Sequence, residues 1–251
     1  MKNALYIILI FFGSISAQNE KIFDQANTLY NEGKFSDALS RYDVILNSGE
    51  HSAELYYNIA NAHYKLNNIA PSIYYYEKAL ALKPKDKDIQ NNLAFANNMR
   101  IDAIDNLPEV GLSKFIKKVT NIQSFNGWAK LAVILVIVFV VLYLVYYFSF
   151  GTQKKRIFFV SSILSIVLAF IVLTITFYSY SLDKKNNPAI VFAQETQVKS
   201  EPNLRSDEAF VLHEGTKVQV LDSVNNWNEI MLSNGKTGWI SKSDIKLLNT
   251  F

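Results

Sequence analysis

Residues 131–150 read LAVILVIVFVVLYLVYYFSF, and after GTQKKR at 151–156 the chain resumes as IFFVSSILSIVLAFIVLTITFYSY at 157–180. Neither apolar run contains Asp, Glu, Lys, Arg or His. Each is as long as the roughly 20 residues an α-helix needs to cross a bilayer. A helix satisfies its own backbone hydrogen bonds, which hydrocarbon cannot do. The pattern therefore predicts two spanning helices, 128–150 and 157–180, joined by a loop at 151–156, rather than two buried helices of a soluble domain. Transport, proton relay and voltage sensing usually need an ionisable group within a span, so the hairpin reads as an anchor.

The start of the chain sets the expected topology. Met1-Lys2-Asn3 carries one positive charge, residues 4–12 are apolar, and Gly13-Ser14-Ile15-Ser16-Ala17 supplies small residues before polar Gln18-Asn19-Glu20. This is the layout of a secretory signal peptide, residues 1–17, cut after Ala17 or Ser16. Export followed by two spans returns the C-terminus to the exported side. Lys154, Lys155 and Arg156 then lie in the cytoplasm, in agreement with the positive-inside rule. Lys114, Lys117, Lys118 and Lys130 flank the first span on the other side and pull against that orientation. The chain has no cysteine, which excludes a lipoprotein anchor, disulfides and thiolate sites. A net charge of +3 with no long basic run gives no sign of nucleic-acid binding.

Residues 18–104 repeat with a period of 34 residues: Ala26 aligns with Ala60, Tyr30 with Tyr64, Ala38 with Ser72, Tyr42 with Tyr76 and Leu46 with Leu80. Small residues let paired helices approach, and the tyrosines fill the space between pairs. Gly33 sits in the first turn and Pro84 closes the second repeat. This period and pattern resemble the tetratricopeptide repeat, a helix–turn–helix unit. Two repeats and a capping helix are expected, since one repeat cannot bury its apolar face alone. The resemblance implies a groove lined by Phe23, Asn27, Tyr30, Tyr57, Asn61, Tyr64 and Lys65 that takes peptides or partner proteins. Asn27 and Asn58 match the asparagines of the family's clamp for C-terminal carboxylates. Its basic positions fall on Phe23, Asp88 and Asn92, so the cations that would hold a carboxylate are missing. Ordinary helix packing is the other reading of the tyrosines.

Residues 105–127 form a juxtamembrane segment. Leu112, Phe115, Ile116, Val119 and Ile122 recur at helical spacing, with Lys114, Lys117 and Lys118 opposite. Such a helix suits the membrane interface, with Trp128 as an aromatic anchor. Packing against the repeats is the competing reading.

After a linker at 181–188 the pattern changes to short alternating segments at 189–192, 210–212, 216–221, 227–232 and 238–240, with Asn234-Gly235 as a hairpin signal. Residues 189–251 predict a small all-β barrel. Val198-Lys199-Ser200-Glu201-Pro202-Asn203, Leu212-His213-Glu214-Gly215-Thr216-Lys217-Val218, Trp227 and Asn234-Gly235-Lys236-Thr237-Gly238-Trp239-Ile240 resemble the bacterial SH3 domain. The family's usual arginine-serine-glycine-proline turn appears as Lys199-Ser200-Glu201-Pro202. Such domains bind cell-wall peptides or mediate protein contacts. Trp227 and Trp239 are candidates for a binding surface, although the position after Gly238 favours barrel core for Trp239.

No catalytic constellation is present. His51, His63 and His213 lack metal-ligand spacing, and no phosphate-binding loop follows a strand. Neither an enzyme activity nor a cofactor is expected. The order signal peptide, repeats, two spans and SH3-like barrel resembles the E-type Bat proteins of the Bacteroides aerotolerance operon. Ala189-Ile190-Val191-Phe192-Ala193, Ser200-Glu201-Pro202-Asn203, residues 210–216 and Asn126-Gly127-Trp128 carry that resemblance. It implies a bacterial inner-membrane adaptor with both soluble domains periplasmic, working in an envelope-stress or aerotolerance complex. The implied partners are other Bat proteins bearing von Willebrand factor A domains. The alternative is a protein that senses or tethers the cell wall, its barrel binding peptidoglycan peptides.

Overall fold

A computed structural model describes residues 18–105, 107 and 111–249. The expected signal peptide lies outside the described residues. The chain divides into two compact units, one built from the sequence before residue 107 and after residue 186, the other from residues 107–186.

In the first unit, five helices run in sequence: α1 (18–31), α2 (Phe35–Asn47), α3 (Ala53–Lys65), α4 (Ile69–Leu82) and α5 (Lys87–Asn97). The 34-residue repeat is visible in the packing. Ala26, Ala38, Ala60, Ser72 and Ala79 are fully buried, and Tyr42 and Tyr76 fill the space between helix pairs. Where the first repeat has Ala38 the second has Ser72, whose hydroxyl donates to the Ala60 carbonyl at 3.1 Å. That bond removes the cost of burying a hydroxyl at a close helix crossing. Ser52 and Asp86 cap α3 and α5 by accepting first-turn backbone N–H groups. Helix α5, the capping helix, ends at Asn97.

The C-terminal part of this unit is a seven-stranded antiparallel sheet in the order β3-β2-β6-β5-β4-β1-β7. The strands are β1 (Pro188–Val191), β2 (Glu195–Lys199), β3 (Glu208–His213), β4 (Lys217–Val224), β5 (Trp227–Met231), β6 (Thr237–Ser241) and β7 (Ile245–Leu247). Its core is made by Ala189, Val191, Val198, Leu212, Val218, Ile230 and Ile240, with Ile104 packed against it. This is an SH3-like fold, joined to a helical repeat array and two long apolar helices. Strands β2 and β7 have no counterpart in the alternation read from sequence, because β2 alternates polar with polar (Thr196 inward, Gln197 outward) and β7 is only three residues long.

Helices and sheet share one core. Ile190 and Leu248 of the sheet join a buried cluster with Ala60, Ala70, Ile73, Tyr74, Tyr76, Leu93 and Ala96. Around it, the Tyr74 hydroxyl donates to the Leu247 carbonyl (3.3 Å), and Lys217 pairs with Glu77 (2.7 Å). The Tyr74 and Phe192 rings meet edge-on at 5.6 Å. Asp102, in the segment after α5, accepts three hydrogen-bond contacts from the sheet. The His213 backbone N–H (2.7 Å) and the Thr216 hydroxyl (2.7 Å) donate to one carboxylate oxygen, and His213 Nδ1 lies 2.8 Å from the other. Burial alone would raise the Asp102 carboxyl. Donation by the His213 backbone, Thr216 and the His213 ring outweighs it and holds the group below the usual carboxylate range.

The second unit holds α6 (Gly111–Thr120), α7 (Phe125–Phe148) and α8 (Thr152–Lys185). Helices α7 and α8 are long and apolar enough to cross a membrane. They pack against each other through Ser162, Ser165, Ala169 and Val172 of α8, and the Ser165 hydroxyl donates to the Leu135 carbonyl at 2.8 Å. Helix α8 begins at Thr152, so Lys154, Lys155 and Arg156 occupy its first turns rather than a six-residue loop. Phe115 and Ile122 at α6 are exposed, and Trp128 Nε1 donates to the Thr120 carbonyl (3.3 Å), which fixes the α6–α7 turn.

Candidate partner-binding cleft

Helices α1, α3 and α5 line one side of the array and enclose a cleft of about 240 Å³. Its walls are Tyr30, Tyr57, Asn61, Tyr64 and Lys65, joined by Tyr76, Asn92 and Phe95. Five of the seven groove residues expected from sequence are thus brought together. The other two sit beside the wall: Asn27 accepts from the Tyr42 hydroxyl (2.6 Å), and the Phe23 ring packs 5.8 Å from that of Tyr42.

The polar wall follows the sequence period. Asn27 Oδ1 accepts from the Tyr42 hydroxyl and from the Asn58 side-chain amide (2.9 Å). Thirty-four residues later, Asn61 Oδ1 accepts from the Tyr76 hydroxyl (2.5 Å) and from the Asn92 side-chain amide (3.3 Å). Asn92 also donates to the Tyr57 hydroxyl at 2.6 Å. Two matched Tyr–Asn–Asn triplets therefore tie each first helix to its own partner helix and to the next repeat. Among the described residues, no hydrogen bond engages the side-chain amide nitrogens of Asn27 and Asn61 or the side-chain carbonyls of Asn58 and Asn92. The cleft thus offers both donors and acceptors, the two kinds of group a polypeptide backbone needs.

Burial pushes the Tyr42 phenol up to about 12. Burial, and then the neighbouring tyrosines, push Tyr76 up further, and Tyr30 is raised by burial and by Tyr57. Lys65 is the one cation among the cleft-lining residues, so a terminal carboxylate would meet no paired cations here. Tyr76, Asn92 and Phe95 line the cleft beyond the seven residues expected from sequence, where Asn92 entered only as a position of the carboxylate clamp. The signal for Asn92 was available, because it is the 34-residue equivalent of Asn58. Phe95, 59 % exposed, is likewise the 34-residue equivalent of Asn61, with an aromatic ring where the first two repeats have an amide.

The two tryptophans of the sheet occupy a different surface. Trp227 pairs with Ser241 and Trp239 with Glu229 across β5 and β6, so both indoles lie diagonally on one face of that ribbon. Trp239 is half-buried and outside the core, contrary to the core expectation. The alternation of β6 turns its neighbour Ile240 inward instead. Gly238 is required by close approach: a Cβ there would lie 2.5 Å from Val198 Cγ1 and 3.0 Å from the Lys199 carbonyl. Lys199 stands opposite Trp239 across β2 and β6.

No curated protein matches the chain as a relative. Two family models match parts of it. Residues 53–86 match the tetratricopeptide repeat, covering α3 and α4 and so the centre of the cleft, and residues 195–246 match the bacterial SH3 domain, covering β2 to β7. Both are non-catalytic interaction modules, the first associated with protein partners and the second with peptidoglycan.

Proposed function

We propose that this protein is a membrane-anchored adaptor that holds protein partners at the periplasmic face of a bacterial inner membrane. The observation that carries the reading is the tyrosine- and asparagine-lined cleft at the centre of the tetratricopeptide match. Its amide donors and acceptors and its phenol rings suit an extended polypeptide. The hairpin supplies the anchor. Because the repeats and the barrel share one buried core, a bilayer cannot pass between them. Two crossings return the chain to its starting side, which supports placing both modules together. A cleavable export signal and the Lys154-Lys155-Arg156 cluster favour the exported side for both.

The likeness to E-type Bat proteins extends the reading to an aerotolerance or envelope-stress complex, with von Willebrand factor A domain proteins as partners. Purification from native membranes after mild crosslinking tests it. Proteins with such domains are expected with the wild type and lost with Tyr57→Ala/Asn61→Ala. Their recovery at wild-type levels with that double variant would overturn the cleft as the contact.

A second reading, cell-wall binding, is favoured by the bacterial SH3 match and by the two tryptophans on one outer face. It predicts sedimentation with purified peptidoglycan that Trp227→Ala abolishes while the melting temperature is kept.

A further inference from the structure

Helix α6 carries an apolar side that the rest of the chain leaves open. Phe115 is 63 % exposed, and Ile122, just beyond the helix, is 67 % exposed. Lys114, Lys117 and Lys118 fall opposite, so the helix is apolar on one side and cationic on the other. Its junction with the first apolar helix is fixed. The Trp128 indole N–H donates to the Thr120 carbonyl (3.3 Å), and Ser124 caps α7 by accepting the Gly127 N–H (3.3 Å). The amphipathic helix is therefore held at the mouth of the apolar run that starts at Leu131.

The same end of the hairpin gathers cations. The Phe125 and Tyr180 rings meet at 5.6 Å, which sets the start of α7 beside the end of α8. Lys130 on α7 and Lys184 and Lys185 on α8 are exposed there, as are Lys114 and Lys118 on α6. Between residues 111 and 186 the one acidic residue is Asp183. The positive-inside rule does not account for these lysines, because Lys154, Lys155 and Arg156 mark the opposite end of the hairpin. In a membrane-anchored chain the lysines stand at the depth of lipid headgroups.

We propose that α6 and this lysine collar bind anionic phospholipid headgroups of the leaflet at that end of the hairpin. One occupant then satisfies both observations. Phe115 and Ile122 enter the acyl boundary, continuous with the spans, while the lysines reach the phosphates. A zwitterionic headgroup offers the same phosphate but brings its own cation, which the lysines repel, so the preference is for lipids of net negative charge.

The collar rests on the membrane-anchor reading, and the test separates the two. Because the chain has no cysteine, Phe115→Cys gives the full-length protein a single site for an environment-sensitive dye. The labelled protein is reconstituted into vesicles of phosphatidylcholine alone or of equal phosphatidylcholine and phosphatidylglycerol, each with a trace of lipid spin-labelled high on its acyl chain. Release of the protein by alkaline carbonate would overturn the anchor and the collar together. In retained protein the dye should be quenched strongly in the mixed vesicles and weakly in phosphatidylcholine. The ratio of quenched to unquenched label should fall about thirtyfold in Lys114→Gln/Lys118→Gln, roughly fivefold for each lysine at an anionic surface. Salt at about 1 M should lower it as well. Equal quenching in both vesicles, or a lipid preference unchanged in the lysine variant, would overturn the collar and leave the anchor standing. A dye shielded from water yet unquenched by lipid would do the same, placing the apolar side of α6 against protein.

Discussion

Gly215 holds a left-handed backbone (φ +84°) in the β3–β4 turn, where a Cβ would lie 2.9 Å from Ile73 Cδ1 and 3.0 Å from Ile69 Cγ2. Gly215→Ala therefore strains the backbone and overpacks the helix–sheet seam together, and should cost about 1–3 kcal/mol, read as a lower melting temperature of the full chain. Asp102→Asn replaces an acceptor of three contacts with a group that must present N–H to some of them. It should cost about 1–3 kcal/mol, and an unchanged melting temperature would remove Asp102 from the seam. The pH dependence has a separate source. His63 stacks on Tyr75 (5.8 Å between ring centroids, 6° between planes), and burial, with the Lys246 charge adding to it, lowers it to about 4. Its folded value lies below its ordinary 6.5, so the unfolded chain binds the extra proton between those values. Stability is full above about 6.5 and is lost as pH falls towards 4, while the Asp102 contribution holds until pH falls below 3.8. His63→Phe keeps the stacking and should flatten the melting temperature between pH 7 and pH 5; an unchanged slope would assign the effect elsewhere. The sequence showed Gly215 as part of an SH3-like turn and Asp102 as nothing at all. A contact between residues 111 apart leaves no local periodicity to read.

Among the elements, the repeat helices and the two apolar helices were legible because periodicity and hydropathy act locally. Helix α5 ends at Asn97, and the segment beyond it to Asp102 and Ile104 is fixed by contacts with the sheet, which no local periodicity announces. The hydroxyl positions of α8 were legible as polar but not as a seam, which needs the partner helix. Ala169 lies on that seam at 4 % exposure. Ala169→Phe should overpack the hairpin by about 1–3 kcal/mol, whereas Phe170→Ala on the exposed side should leave its stability unchanged; melting in detergent micelles compares them. In the cleft, the Tyr and Asn positions were legible from the family pattern, but their pairing was not. Tyr76→Phe removes the donor to Asn61 and should destabilise the array by about 1 kcal/mol, with loss of a fixed Asn61 orientation.

For the whole molecule, the consequence of the shared core is that residues 107–186 are inserted in the sequence of one folded unit. Removing residues 187–251 would expose Ile73 and Tyr74, now 1 % and 6 % accessible, so the shortened chain should aggregate or be degraded faster. Limited proteolysis of the full chain in micelles should spare both modules over the same range of protease concentration. The central claim is that the cleft between α1, α3 and α5 receives a protein partner at the membrane. Its most direct test places a photoreactive phenylalanine analogue at Tyr64, inside the cleft, or at Leu82, exposed on α4 and outside the cleft lining, and irradiates intact cells. A discrete protein adduct from position 64, absent from position 82, is the predicted result. Absence of any adduct at 64, or the same adducts from both positions, would contradict it.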